Sequence, residues 1–467
     1  MKTKRILCLL TAVLSLTAAS CGLLPEEING NKYLTYVPGD VDSYSVVSES
    51  TADSSSLSSA DSSSNIDTVS STADSSVASS EKSEDKNSDD ENSDNNSSEE
   101  ENTNPFITAD IGSPGYATVP NSASVKYLGR TVLSNDVLWC SMSGTGAEFE
   151  FTGKNLEITI AGDSSVSDLY NHRARVGIFV NGECAVDEMI SSSRQSFKVI
   201  KSDNEATYNV KIIKLSESEM SSFGIVSIDC DEGEQIVPSS QSGRKIEFIG
   251  DSITCGYGVD DGNPNSSFST ATEDITKTFA HLTAEHFGAD YNVFAMSGYG
   301  ILSGYTSNPS QINTQPLIPS YYSTLGCSDS SFSGSRPQDI QWEFSSFQPD
   351  AVVINLGTND STYCQNDSEK LDAFVKAYVD FLKQVRSCNP NAQIFCILGT
   401  CSDQIYSQVE QAVNEYSSQT GDSNVHSYLI DSGDSSYGYA ASYHPSAASN
   451  ALMADVLSSV MSDVMGW

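Results

Sequence analysis

Ala351-Val352-Val353-Ile354-Asn355-Leu356 is apolar at five of its six positions. Successive side chains of a strand point to opposite faces, so such a segment has no side to show to water. It belongs inside a sheet covered on both faces, the environment of parallel sheets built from strand–helix–strand crossovers. The neighbouring chain agrees. Ile246-Glu247-Phe248-Ile249, Tyr291-Asn292-Val293-Phe294 and Ile394-Phe395-Cys396-Ile397-Leu398 are further short apolar runs. Between them, Leu371, Phe374, Val375, Tyr378, Phe381, Leu382 and Val385 recur at helical spacing, as do Leu452, Val456, Val460 and Val464 within 447–465. From about Arg244 the alternation predicts an α/β/α sandwich on a parallel sheet. Sites in such sheets form at the carboxyl ends of the strands.

The chain ahead of this region has a different period. Glu148-Phe149-Glu150-Phe151 and Leu156-Glu157-Ile158-Thr159-Ile160 alternate strictly, and Val176–Val180 runs into Asn181-Gly182, a hairpin signal. Phe197–Val199 and Tyr208–Ile213 read as two more strands. Short strands with few helix signals predict an all-β sandwich of the jelly-roll kind over 105–236, followed by the α/β domain over 237–467.

Between Ser43 and Asn104 there are 23 serines and 15 acidic residues against Lys82 and Lys86, with no aromatic residue between Tyr44 and Phe106. That composition cannot bury enough apolar surface to offset its ordering entropy, so 22–104 reads as a disordered, self-repelling linker. Residues 1–21 read as an export leader: Lys2, Lys4 and Arg5, an apolar run from Ile6 to Leu16, then small residues up to Cys21. The string Leu16-Thr17-Ala18-Ala19-Ser20-Cys21 resembles a bacterial lipobox, which implies lipidation at Cys21 and a tether to the outer surface of a cell. An ordinary cleavable signal ending at Ser20 would give a secreted form.

The whole chain holds 62 acidic and 24 basic residues, a formal net charge of −38. This excludes a basic face for nucleic acid and disfavours an anionic membrane surface, leaving contact with a membrane to the lipid anchor alone. Neutral polymers such as polysaccharides remain compatible with it. Nine cysteines follow the leader, and their spacings imply neither a metal nor another cofactor. Cys388, Cys396 and Cys401 fall in or beside expected core elements. The chain is expected to act as a monomer.

Gly250-Asp251-Ser252-Ile253-Thr254-Cys255-Gly256 directly follows the first apolar strand. A serine on a tight turn at a strand end presents its hydroxyl, as a nucleophile requires. The spacing is not that of the GxSxG elbow. Three other short motifs stand at element ends: Ser297-Gly298, Gly357-Thr358-Asn359-Asp360 and His444-Pro445. In this order the four resemble the sequence blocks of SGNH (GDSL) hydrolases. With the sandwich ahead of them, the phrase Asn355–Asp360 and the upstream Trp342, they resemble carbohydrate esterase family two more narrowly. Each motif alone is weak; the ordered set is specific, and the resemblance, sandwich included, covers nearly everything after the linker.

The resemblance implies a serine esterase acting on acetylated plant polysaccharide or oligosaccharide such as xylan or mannan. Ser252 would attack the acyl carbon, His444 would serve as general base, and Ser252 N–H, Gly298 N–H and the Asn359 amide would bind the oxyanion. One position departs from the pattern. Where the family usually has an aspartate three residues before the histidine, this chain has Ala441. A backbone carbonyl, as in some members of the narrower family, or a carboxylate such as Asp431 or Asp434 could orient His444 instead. Trp342, Tyr257 and Tyr299 are candidates for stacking on sugar rings, with ordinary core packing the competing reading. Two other functions fit the same features: a surface carbohydrate-binding lipoprotein with little or no activity, and an esterase for a different O-acetylated polymer or a lipid.

Overall fold

The computed structural model describes residues 116–431 and 434–467, together with the backbone of two paired strands, Leu23–Ile28 and Asn31–Tyr36. That pair lies within the stretch expected to be linker. The rest of 22–104, the leader and Cys21 lie outside the described residues.

Ten strands between Tyr116 and Pro238 form one antiparallel, curled sheet. Its centre is two long strands, Gly146–Gly162 and Gln195–Lys214, paired along most of their length. Each is continuous where the sequence pattern shows two separate strands. Glu148–Phe151 and Leu156–Ile160 are halves of the first strand, and Phe197–Val199 and Tyr208–Ile213 are halves of the second. The register slip between Lys201 and Ala206, opposite Gly153 and Asn155, separates the halves, and a second slip lies between Lys198 and Ile200. Bulges of this kind bend a strand so that one ladder can serve both faces of a sandwich. Phe149, Phe151, Ile158, Ile160, Val210, Ile212 and Phe223 point into the enclosed core. The Asn181-Gly182 turn closes the expected hairpin with φ of +54° and +85°.

The α/β domain is built on a five-stranded parallel sheet. Its strands are β1 (Lys245–Gly250), β2 (Asp290–Ala295), β3 (Ala351–Asn355), β4 (Gln393–Leu398) and β5 (Val425–Leu429), in the spatial order β2-β1-β3-β4-β5. The apolar strand that led the sequence argument is central, and all five residues of β3 are buried. Val352 and Ile354 face one side with α4 (Ser368–Cys388) and α5 (Tyr406–Thr420). Ala351 and Val353 face the other with α2 (Phe279–His286) and α6 (Ala447–Met465). Each large apolar side chain so buried contributes about 1.5–3 kcal/mol.

Helix α4 starts at Asp367, whose carboxylate accepts the N–H of Glu369 and Lys370, and buries Phe374, Val375, Tyr378, Phe381, Leu382 and Val385 as expected, whereas Leu371 of the expected stripe is only half-buried. In α6 the buried face is centred on Met453, Leu457 and Met461, with Val460. Leu452, Val456 and Val464 only flank it. The expected stripe was therefore rotated by one position. Cys396 lies in the core and Cys388 is half-buried, whereas Cys401 is exposed, because it sits in the loop after β4. Among the described residues no helix is long and apolar enough to cross a membrane.

Two parts of the sandwich reach into the α/β domain. Arg130 is fully buried: it donates to the carbonyls of Tyr322 and Thr324 and pairs with Glu247 of β1 at 3.0 Å. The segment after Lys214 also packs there. Its Glu217 N–H donates to Glu273 Oε2, and Ser218 Oγ donates to the Cys327 carbonyl.

Candidate active site

Strand order reverses between β1 and β3, and ligands in open α/β sheets bind at that crevice. Ser252 follows β1 and Asn359 follows β3, so the two motifs flank the switch point. Asp251 ends β1's turn in extended conformation, and its carboxylate accepts the Ile253 N–H at 3.1 Å. This cap starts α1 (Ser252–Cys255), a single helical turn with Ser252 at its head. Ser252 is 8% exposed.

His444 comes from the loop before α6. Its Nε2 lies 2.8 Å from Ser252 Oγ. Its Nδ1 lies 3.1 Å from the Ala441 carbonyl. A carbonyl only accepts, so Nδ1 carries the proton and Nε2 turns its lone pair to the serine hydroxyl. The position of the missing aspartate is thus filled by the backbone of the residue that replaced it. The geometry depends on a tight turn. Ser442 and Tyr443 both have left-handed backbone, φ +51° and +60°, at a cost of about 1–2 kcal/mol each. Ser442 Oγ is held by the Ser266 carbonyl at 3.0 Å and lies 3.2 Å from Tyr257 Oη. Gly258, at φ +60°, packs so close that a Cβ there would lie 2.5 Å from Ala441 Cβ. Burial pushes His444 down to about 4.

Gly298 follows β2 with φ +78°, and a Cβ placed on it would meet nothing within 4 Å. The space above it is therefore open. Asn359 stands in the first turn of α3 (Thr358–Cys364). Its Nδ2 donates to Asp251 Oδ2 at 3.1 Å and to the Tyr299 carbonyl at 2.9 Å. Both amide protons are therefore engaged, and donation to an oxyanion requires one bond to be shared or exchanged. Asp251 is fully buried, which pushes its carboxyl up to about 7.

The structure brings Ser252, His444 and Asn359 together and sorts the aromatic candidates differently. Tyr257 stacks on the His444 imidazole, centroids 4.1 Å apart and planes 18° apart, so it backs the histidine. Tyr299 is 5% exposed, with its hydroxyl donating to Cys327 Sγ and its ring against Tyr321. It is a core residue and offers no platform. Trp342 is not at the site. It packs over the buried Arg130 guanidinium at 5.5 Å and lines a cleft with Lys245 and Asp290, the first residues of β1 and β2. Ser252 follows the opposite ends of those strands.

Asp360 ends the Gly357-Thr358-Asn359-Asp360 motif, and nothing local in the sequence marks its role. It is buried, and its carboxylate accepts the N–H groups of Ile301, Leu302 and Ser303, fixing the loop after Gly298. Burial pushes it up to about 6.

The chain is similar to known proteins over both of its domains. Residues 248–452 match the GDSL-like Lipase/Acylhydrolase family, and residues 127–239 match the Carbohydrate esterase 2 N-terminal model. The chain is 31% identical over 334 residues to the cellulase/esterase CelE of Acetivibrio thermocellus, covering 70% of this chain and 38% of that one. It is 30% identical over 265 residues to an acetylxylan esterase / glucomannan deacetylase of Cellvibrio japonicus, covering 54% of this chain and 68% of that one. This chain thus spans well under half the length of CelE. A family two carbohydrate esterase from Clostridium thermocellum, solved in complex with cellohexaose, superposes with a TM-score of 0.64 at 28% identity, over 73% of this chain and 99% of that one.

Proposed function

The chain belongs to the GDSL-like acylhydrolases that carry a carbohydrate esterase 2 N-terminal domain, and from that membership we propose that it is an exported serine esterase removing O-acetyl groups from plant cell-wall xylan or mannan. The observation that carries the reading is the relay from the Ala441 carbonyl through His444 to Ser252, 3.1 Å and 2.8 Å long.

Ser252 Oγ attacks the acetyl carbon while His444 Nε2 takes its proton. The electron pair of the carbonyl moves onto its oxygen, which the Ser252 and Gly298 N–H groups and the Asn359 amide receive. His444 returns the proton to the departing sugar hydroxyl, leaving acetyl on Ser252. Water activated by the same imidazole then releases acetate. The polymer substrate is supported by the named activities of the relatives and by the open surface above Gly298. Export and a lipid anchor at Cys21 rest on the leader pattern.

A fluorophosphonate probe tests the site directly. The intact wild-type chain should be labelled within minutes at Ser252, and the His444→Ala variant should be labelled at least about a hundredfold more slowly, since general-base catalysis contributes roughly 10²–10⁴. Equal labelling of both would remove His444 from the mechanism.

A further inference from the structure

The sandwich domain places a carboxylate behind the oxyanion site. Glu217, in the segment after the long strand Gln195–Lys214, is fully buried. Its Oε2 accepts the Ser297 N–H at 2.7 Å. Ser297 immediately precedes Gly298. On the other side of Gly298, its carbonyl accepts the Tyr305 N–H at 2.8 Å. The two peptide units that flank the one carrying the Gly298 N–H are thus each held, which limits how far that N–H can turn. Cys255, at the foot of the turn headed by Ser252, places its Sγ 3.8 Å from Glu217 Oε2 and 3.5 Å from the Ser252 carbonyl.

A carboxylate so deeply buried needs compensation. Glu273 lies beside it, with Oε2 accepting the Glu217 N–H at 2.9 Å. Glu217 Oε1 and Glu273 Oε1 take no donor from the described chain. A proton on one of the two carboxyls makes that group a donor as well as an acceptor. Burial, and then the neighbouring Glu217 charge, push Glu273 well above the usual carboxylate range, so Glu273 holds that proton. Lys214, also fully buried, donates to the Glu217 carbonyl at 2.6 Å and supplies the counter-charge.

We propose that Glu217 is a positioning residue for ester hydrolysis: the sandwich domain uses it to hold Ser297 and thereby preorganise the Gly298 N–H toward the oxyanion. The proposal rests on the esterase reading and gives the sandwich a part in catalysis. Preorganised donors are effective because they need no rearrangement as charge develops.

The test is hydrolysis of p-nitrophenyl acetate by the intact chain. Glu217→Leu removes the acceptor, and kcat should fall about 10- to 100-fold, with KM within about threefold of wild type, on the scale of a weakened oxyanion donor. Fluorophosphonate labelling of Ser252 should slow in parallel. Glu217→Gln keeps an acceptor for Ser297 and gives Glu273 a donor, so it should restore kcat to within about fivefold. Ser218→Ala breaks a bond of the same segment to Cys327 without touching Ser297, and should lower stability with kcat unchanged. If Glu217→Leu does not fold, Glu217→Asp draws the acceptor back by one methylene and must lower kcat at least tenfold. A folded Leu or Asp variant with kcat within twofold of wild type overturns the proposal and leaves the esterase reading intact. A wild-type chain that neither hydrolyses the ester nor takes the label overturns both.

Discussion

The imidazole of His444 is oriented by the carbonyl of Ala441, 3.1 Å from Nδ1, and so by a neutral acceptor. An aspartate there would stabilise the imidazolium and raise the pKa. Here burial prevails and holds His444 down to about 4. Only the neutral ring can accept the Ser252 proton. The acid limb of kcat/KM should therefore fall near pH 4, well below the ordinary histidine value of about 6.5. Stability has the same sign. A base whose folded pKa is depressed binds its proton more readily when unfolded, so its stabilising effect is present above about pH 6.5 and is lost as pH falls toward 4. A rate profile between pH 3.5 and 8 checks this; an acid limb at 6.5 or above would contradict it.

Tyr257 and His444 are stacked at 4.1 Å. Such pairs contribute about 0.5–1.5 kcal/mol beyond the area they bury. Tyr257→Ala should lower kcat about two- to tenfold by freeing the imidazole, at 1.36 kcal/mol per decade of rate. Tyr257→Phe keeps the ring and loses only the contact with Ser442 Oγ, so it should stay within about twofold. Steady-state kinetics of the two variants separate stacking from hydrogen bonding.

Asn359 links Asp251, the cap of the nucleophile turn, to the Tyr299 carbonyl. If Asn359 serves as the proposed oxyanion donor, Asn359→Ala should cost about 10²–10³ in kcat. It also strips a partner from the buried Asp251, so thermal stability should fall by a few degrees. A variant that loses stability but keeps its kcat would make Asn359 structural only.

Trp342→Leu distinguishes packing from substrate contact. The ring covers the Arg130 guanidinium, which is paired with Glu247 inside the protein. Uncovering it should lower the melting temperature by several degrees, since a large-to-small change in such a place costs on the order of 2–4 kcal/mol. Turnover of acetylated xylan should stay within about twofold. A selective rise in KM for the polymer would return Trp342 to the substrate surface.

The α/β core was legible, and so was the set of motifs that the structure gathers into the candidate site, because both follow local rules. Apolar runs such as Ala351–Leu356 mark central strands, Ser252 and Asn359 each follow a strand end, and His444 stands just before the last helix. Strand β5 was missed because it is an edge strand with His426, Ser427 and Tyr428 only partly buried, so it lacks the apolar signature. Tyr299 and Trp342 were drawn toward the substrate because an aromatic residue reads alike in a core and in a cleft. Only long-range partners, Cys327 for one and Arg130 for the other, tell them apart. Glu217 had no local signal. Its role depends on Ser297, which lies 80 positions away.

The most direct test of the account is acetate release from acetylated xylan and glucomannan by the intact chain, measured beside Ser252→Ala. The wild type should show sustained release and the variant at least about a 10³-fold loss, on the scale of losing a catalytic nucleophile. Release that persists in Ser252→Ala would contradict the assignment of the nucleophile. A folded wild type that binds these polymers without releasing acetate would contradict the esterase and leave a carbohydrate-binding protein in its place.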